Sequence, residues 1–308
     1  MSSAVSPARL RQLNAQFSGL FQDAYKSTPT YLDQLATRVS SSTTENVYGF
    51  MADLDDMREW IGPRVVERIA ANGYTLRNKE FEKTIGVRAR DIKDDNIGVY
   101  GPRFARLGEV AARHPWRLLV DVLLANSTCY DGKAFFATDH PVDPNDASPG
   151  SQSNLLSSKA LNLDNLFAAR SAMRQFKSES GTPMGVIGDT LVVHPDREQI
   201  ALEITSMPSI SKVFGSNTAA AAPGNIGAQL GMRVIVEPRL TSSSDWYLFS
   251  TMSAIKPFIF QEREGLSITQ KTAETDDNVF DRNEYVWGAY ACYNVGYGPW
   301  FQAIKCTE

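Results

Sequence analysis

Cys129, Asp139, His140 and Asp143 are the residues that first invite a chemical reading. Asp139-His140-Pro141, with Asp143 close by and Cys129 eleven residues upstream of His140, has the residue types of a metal site or a Cys–His nucleophile. The spacing argues against the metal site. The chain has three histidines, none paired at helical spacing, and no HExxH. A Cys–His pair is defined in space, so a soluble hydrolase using Cys129 and His140 stays open as the alternative reading. The simpler account is a local turn, with Asp139 bonding nearby backbone. Gly181-Thr182-Pro183-Met184-Gly185-Val186-Ile187-Gly188 is glycine-rich, but the order around it is helix, glycines, strand, and no GK[ST] follows. A phosphate cradle needs strand, glycines, helix, so this is a connecting turn. No GxSxG occurs, and Cys306 is two residues from the end. The aromatic run at 285–301 lacks the interleaved Arg and Lys of a base-stacking platform, and reads as core or subunit interface. No catalytic, cofactor-binding or metal-ligating residue is assigned, and no cofactor is expected.

The elements that would position such residues come from an ordinary globular composition. Of 308 residues 43% are hydrophobic and 21% charged, which provides for a core in one large domain or two smaller ones. The net charge of -4 and the absence of any Lys/Arg run exclude a footprint for tight binding to DNA phosphates. Met1-Ser2-Ser3-Ala4-Val5 does not look like a signal peptide, and no apolar segment is long enough to span a bilayer. Cys129, Cys292 and Cys306 are odd in number, far apart and form no CxxC, so reduced thiols are expected.

Ser6-Pro7 is a helix start, and Leu10, Leu13, Phe17, Leu20 and Tyr25 follow at threes and fours to about Ser27. The polar stretch from Arg38 to Asn46 reads as extended. A second helix is predicted from Asp55 to Ala71. Residues 74–92 predict a long polar two-stranded hairpin that its own chain cannot cover. Pro102 opens a helix to about Asn126, which Pro115 must kink or restart. Phe135-Phe136 reads as a short strand and 141–158 as a long loop. A helix capped by Asn162 or Asp164 follows, then a buried strand from Thr190 to His194 and a helix begun by Pro195-Asp196. Residues 209–231 read as a mobile loop. Strands are predicted at Met232–Val236, Trp246–Phe249, Ile255–Phe260, Val279–Phe280 and Tyr285–Tyr293, giving an α+β chain.

Five phrases, in order, resemble the major head subunit family of Mu-like phages. They are Met57-Arg58-Glu59-Trp60-Ile61-Gly62, Asp131-Gly132-Lys133 leading to Phe135-Phe136 and Thr138-Asp139-His140-Pro141, Trp246-Tyr247-Leu248-Phe249, Lys256-Pro257-Phe258-Ile259-Phe260-Gln261, and Gly296-Tyr297-Gly298-Pro299-Trp300. Residues 190–204 also look like the strand-then-helix of tailed-phage axial domains. Cys292 departs from the pattern, since a basic residue is expected there.

The resemblance implies the Hong Kong 97-type capsid fold. Its parts would be an N-terminal arm at 1–46, an extended-loop region at 47–99, a peripheral domain with the spine helix at 100–159 and 236–308, and an axial domain at 160–235. It implies a major capsid protein, not an enzyme, that self-assembles as pentamers and hexamers into an icosahedral shell around double-stranded DNA. The implied partners are other copies of the chain, a portal protein, a scaffold and protease during assembly, a decoration protein, and DNA in weak, non-specific contact. No membrane is involved. The implied location is the virion, with assembly in the host cytoplasm. A phage-derived nanocompartment shell is a further alternative. On this reading, deleting 1–46 leaves a folded chain that no longer closes into particles. Lys79 or Lys83 could cross-link to Asn294 of a neighbour, but their polar surroundings predict a non-covalent shell instead.

Overall fold

The computed structural model of the chain describes residues 6–49, 73–93, 97–143, 146–206 and 227–308. The first helix, α1, runs Pro7–Ser27, with the Ser6 hydroxyl accepting from Arg9 N and proline at its start, as the sequence predicts. A short α2 (Leu32–Leu35) leads into β1 (Ala36–Ser40) and β2 (Glu45–Tyr48). Then come β3 (Tyr74–Arg77), β4 (Lys79–Arg88), α3 (Ala89–Lys93) and the 29-residue α4 (Ile97–Ala125). A hairpin of β5 (His140–Asp143) and β6 (Asp146–Gln152) is followed by β7 (Leu155–Leu156) and α5 (Leu163–Arg174), whose cap is Asn162. Next are β8 (Thr190–Val193), α6 (Glu198–Thr205), β9 (Arg233–Val236) and β10 (Trp246–Phe249). The chain closes with β11 (Phe258–Lys271), α7 (Asp277–Arg282), β12 (Glu284–Tyr297) and β13 (Ala303–Cys306).

Two sheets carry the fold. One has the order β1-β11-β12-β4, and the other β7-β13-β10-β8-β9. A boundary at 235/236 would cut the second sheet, because β10 pairs with β8 in register Trp246↔Val193 and with β13 in register Trp246↔Cys306. One apolar core joins the sheets: Phe135 stacks on Tyr297 at 4.7 Å, and Phe249 meets Phe258 at 5.8 Å.

Several expectations are corrected. Residues 74–92 do not pair with themselves. β3 pairs with β2, and β4 pairs with β12 in register Glu284↔Arg88. The inward positions Phe81, Ile85 and Val87 need cover on one side only, and α1 and α4 supply it, while the pairing strand comes from far along the chain, which local alternation cannot reveal. α4 begins before Pro102 and is not restarted at Pro115, because burial of Ala112, Trp116 and Leu119 outweighs one missing backbone bond. Phe135-Phe136 is not a strand; both rings are buried in a turn segment. Residues 141–158 contain the β5–β6 hairpin, not a plain loop. Val279–Phe280 lies in α7, not a strand. The predicted helix at 55–71 and most of the loop at 209–231 lie outside the described residues.

The N-terminal segment is also not left uncovered. Leu13, Phe17 and Phe21 of α1 are buried on this chain's own α4 and β12, where Phe17 stacks on Phe104 at 4.2 Å and both rings meet Trp287 edge-on. β1 runs parallel to β11. Removing 1–46 would expose that seam, so the expectation of a folded truncated chain is withdrawn. The helices cross at Gly108, where a Cβ would lie 2.3 Å from the Phe21 carbonyl oxygen. Gly→Ala inside a free helix stabilises by about 1 kcal/mol. Here Gly108→Ala is expected to lower the stability of the unassembled chain, by about 1–3 kcal/mol, because the helices must part. Urea titration followed by circular dichroism checks this, and a stabilised variant would show that α1 is not seated on α4.

Candidate functional site

The turn after α4 brings the chemistry-bearing residues together. Asn126, at φ 44, reverses the chain, and its side-chain amide brackets Phe136 by accepting from its N–H (2.7 Å) and donating to its carbonyl (3.1 Å). The Tyr297 hydroxyl donates to the Val122 carbonyl and accepts from Ser127 N, both at 2.7 Å. Cys129 N donates to the Lys133 carbonyl, and Gly132 takes φ 80 between them. That tight turn points Asp131 inward. Its Oδ1 accepts from the Cys129 thiol (2.9 Å) and from Lys133 N (3.0 Å), and its Oδ2 lies 2.6 Å from His140 Nδ1.

His140 opens β5 with its ring fully buried, stacked on Trp300 at 4.0 Å and 6°. Its Nε2 is 3.1 Å from Asn154 Oδ1. The Asn154 amide is fixed by backbone: Oδ1 accepts from Ala137 N, and Nδ2 donates to the carbonyls of Phe135 (2.7 Å) and Trp300 (3.3 Å). An acceptor therefore faces each ring nitrogen. Burial pushes the Asp131 carboxyl up, but its bonds from His140, Cys129 and Lys133 outweigh this and hold it below the usual carboxylate range. The Asp131 carboxylate holds His140 in a buried hydrogen bond, and Trp300 covers the ring.

This arrangement ties the turn after α4, the start of β5 and Asn154 together. Cys129 and His140 do meet, but through Asp131. Burial and the neighbouring carboxylate push the Cys129 thiol well up, so it is a donor and not the thiolate a nucleophile requires. The His140 and Asp131 side chains are both inaccessible to solvent. Cys129, Asp131 and His140 bring possible ligand atoms within 4.8 Å of one another. A cation would need those atoms arranged around it at about 2.0–2.3 Å, whereas a 2.6 Å hydrogen bond closes Asp131 directly onto His140. Asp139 bonds its own backbone N–H, but its main partner is a side chain. It pairs with the Lys133 ammonium at 2.5 Å on the surface, and that bond lowers its pKa. Asp143 stands at the other end of β5. Asp131 and Asn154 were not recognised from sequence as partners of His140. The Asp131-Gly132 turn two residues after Cys129 was the available signal for the first; Asn154 had none.

The glycine-rich run is the connection between α5 and β8, with Gly181 and Gly185 at φ 83 and 66 and Met184 N bonded to the Phe176 carbonyl. The aromatics Tyr285, Trp287, Tyr293, Tyr297, Trp300 and Phe301 are buried core. The three cysteines are free and buried. Asn294 is buried, its amide donating to the Arg77 carbonyl at 2.7 Å and its oxygen accepting from Val295 N, so it is already engaged within the chain. Among the described residues Arg90 pairs with Asp91 at 3.3 Å, and no ion pair takes up Lys79, Glu80, Glu82, Lys83 or Arg88.

A carboxyl whose folded pKa is depressed stabilises the fold above its unfolded value of about 3.9 and loses that contribution as pH falls through the folded value. Asp131→Asn keeps the shape and removes the charge. It is expected to cost about 1–3 kcal/mol near neutrality, where His140 and Cys129 lose their best acceptor. The gap between the variant and the unaltered chain should close below about pH 4, as the native carboxylate is itself protonated. Denaturant midpoints measured from pH 6 to 2 test this; a constant gap would contradict the network.

The description "Mu-like prophage major head subunit gpT" belongs to a family model that matches residues 10–160, 152–222 and 235–308. The chain is 29% identical over 302 residues to the major capsid protein of Escherichia phage Mu, covering 97% of this chain and 74% of that one. It is 26% identical over 301 residues to the Mu-like prophage FluMu major head subunit of Haemophilus influenzae, covering 97% and 73%. Among solved structures it is similar to the procapsid of bacteriophage JBD30, at 32% identity and a TM-score of 0.60, covering 99% of this chain and 76% of that one. The virus-like particle from Pyrococcus furiosus, at 11% identity and a TM-score of 0.53 over 95% and 98% of the two chains, shares the fold. The chain thus belongs to the Mu-like prophage major head subunit family and has the α+β Hong Kong 97-type capsid fold.

Proposed function

We propose that the chain is the major capsid protein of a tailed, Mu-like phage, assembling as pentamers and hexamers into an icosahedral shell around double-stranded DNA. The observation that carries this is the match to head-subunit relatives along nearly the whole chain, core and sheets included. The chemistry of the interior agrees with it, since the Cys129–Asp131–His140 network is spent on holding the fold. A net charge of -4 suits a wall that touches packed DNA weakly and without sequence preference. The relatives at 26–29% identity are phage and prophage head subunits, which favours DNA over an enzymatic cargo as the contents.

In this reading 1–46 is the N-terminal arm, and β2 with β3 forms the base of the extended-loop region. The peripheral domain holds α4 and the β1-β11-β12-β4 sheet, and the axial domain holds the five-stranded sheet with α5 and α6. Portal protein, scaffold, protease and a decoration protein are the further partners, acting in the host cytoplasm on the way to the virion. No helix of the described residues is long and apolar enough to cross a membrane.

Negative-stain microscopy of the expressed chain, alone and with the products of neighbouring genes, should reveal closed particles; small oligomers under both conditions would refute the shell. Boiled in denaturant, those particles should run as one band near 34.0 kDa, or slightly below if the arm is trimmed. A ladder resistant to denaturant and reductant would refute a non-covalent shell.

The charges on β4 supply a separate test. Each exposed pair contributes only about 0–1 kcal/mol, but a shell repeats it at every copy. Lys79→Glu with Lys83→Glu should raise the protein concentration needed for assembly several-fold, at about 0.15 M salt. Light scattering reads the threshold, and an unmoved curve would show that these lysines do not face a neighbour's acids.

A further inference from the structure

On the outer side of α4 a groove of about 430 Å³ opens among Tyr31, Val110, Trp116 and the turn at Val236 to Arg239. Its floor is apolar, and Val110 is 48% exposed in a helix whose other large apolar side chains are mostly covered. Its rim is cationic. Arg113, Arg117 and Arg239 line it, and the acid among the lining residues, Glu237, is buried and committed to Trp116 Nε1 (2.6 Å) and Arg239 Nε (3.1 Å). Arg113 reaches Glu109, and Arg239 reaches Asp121, only at 4.0 Å. Arg117 forms no ion pair among the described residues. The groove therefore presents apolar surface inside a surplus of positive charge.

The opposite combination stands at the tip of the β11–β12 hairpin. There Phe280 of α7 is 85% exposed. Glu274, Asp276, Asp277, Asp281 and Glu284 surround it in sequence, against Arg282 alone. The tip is built to hold this shape. Asn278 Nδ2 donates to the carbonyls of Lys271 (3.1 Å) and Glu284 (2.7 Å), Asp276 accepts from Ala273 N, and Asn283 at φ 51 ends the helix. Val279 packs beside the Leu10–Phe17–Phe104 cluster, which ties the tip to the N-terminal part of α4. The groove begins at Val110, on the order of 10–20 Å further along that helix at 1.5 Å per residue. The tip is thus anchored away from its own groove.

We propose that Phe280 of one copy inserts into the Val110–Trp116 groove of a second copy, with the acidic tip facing Arg113, Arg117 and Arg239. This rests on the shell reading and specifies one of its contacts. An aromatic anchor in an apolar pocket supplies the affinity, and the opposed charges supply steering and register. Because the two surfaces differ, the contact is head-to-tail. Repeated, it builds a ring or an open chain rather than a closed pair.

The test uses two full-length variants, Phe280→Cys and Val110→Cys, mixed before assembly, oxidised and run on a non-reducing gel. The native cysteines are buried and remain silent. A reducible dimer in the mixture, absent from each variant alone, is the expected result; mixed particles without that dimer overturn the proposal. Should the variants not assemble, charge exchange decides. Arg117→Glu should raise the assembly threshold about tenfold, and adding Asp277→Arg in the same chain should bring it back to within about twofold. Failure of the second change to restore assembly also overturns the contact. Should the unaltered chain form no particles at all, the shell reading fails, while the cross-link read on mixed soluble chains still decides the contact.

Discussion

β12 is the strand on which the other parts of this chain depend. Along its first half every second side chain is buried, which is the pattern of a strand covered on one face. From Ala291 onward every side chain is buried, because the second layer begins there. β12 pairs with β11 on one edge and β4 on the other. Trp287 on one face receives α1 through Phe17, and Tyr297 near the end bonds the Val122 carbonyl in the last turn of α4 and Ser127 N just after it. The chain then passes through Pro299 and Trp300 directly into β13 of the other sheet. One continuous strand thus sets the relative placement of both sheets, the long helix and the N-terminal helix.

The scarce reactive side chains are used where the chain most needs tying. Asp131, His140 and Asn154 come from three segments without long strands, the turn after α4, the start of β5 and the approach to β7. Such segments cannot satisfy their backbone groups by ladders alone, and Asn126 and Asn154 do much of that work with their amides. A buried polar network is seldom the most stabilising choice, but it enforces one arrangement of the groups around it. For a subunit that must present the same outline in every copy, a single arrangement matters more than extra stability.

What could be read from the sequence was what is local. Ser6-Pro7 and the stripe from Leu10 to Tyr25 specify α1, Asn162 specifies the start of α5, and Pro195-Asp196 the turn before α6. Pairing across long distances was not legible. β4 carries a charged alternating pattern that fits a free hairpin as well as an edge strand, and only β12, far away in sequence, decides between them. The same limit applied to the network at His140. Cys129 and His140 were identifiable by type, but Asp131 resembled a turn residue and Asn154 any polar residue, since their partners are backbone groups that a sequence does not display. The family resemblance bridged this gap because phrases such as Gly296-Tyr297-Gly298-Pro299-Trp300 record the packing of β12 into both layers.

β4 has one further consequence. Among the described residues it is the outer strand of its sheet, and no other described strand pairs with its far side. Lys79, Glu80, Glu82, Lys83 and Thr84 are all exposed along it, with apolar side chains only on the inward positions. An approaching β-rich segment would have to strip water from charges of both signs to dock there. Newly made chains, crowded together before they find their proper neighbours, are thereby kept from zipping edge to edge into irreversible aggregates. The mixed charge of this strand acts as a solubility safeguard during the interval between folding and assembly.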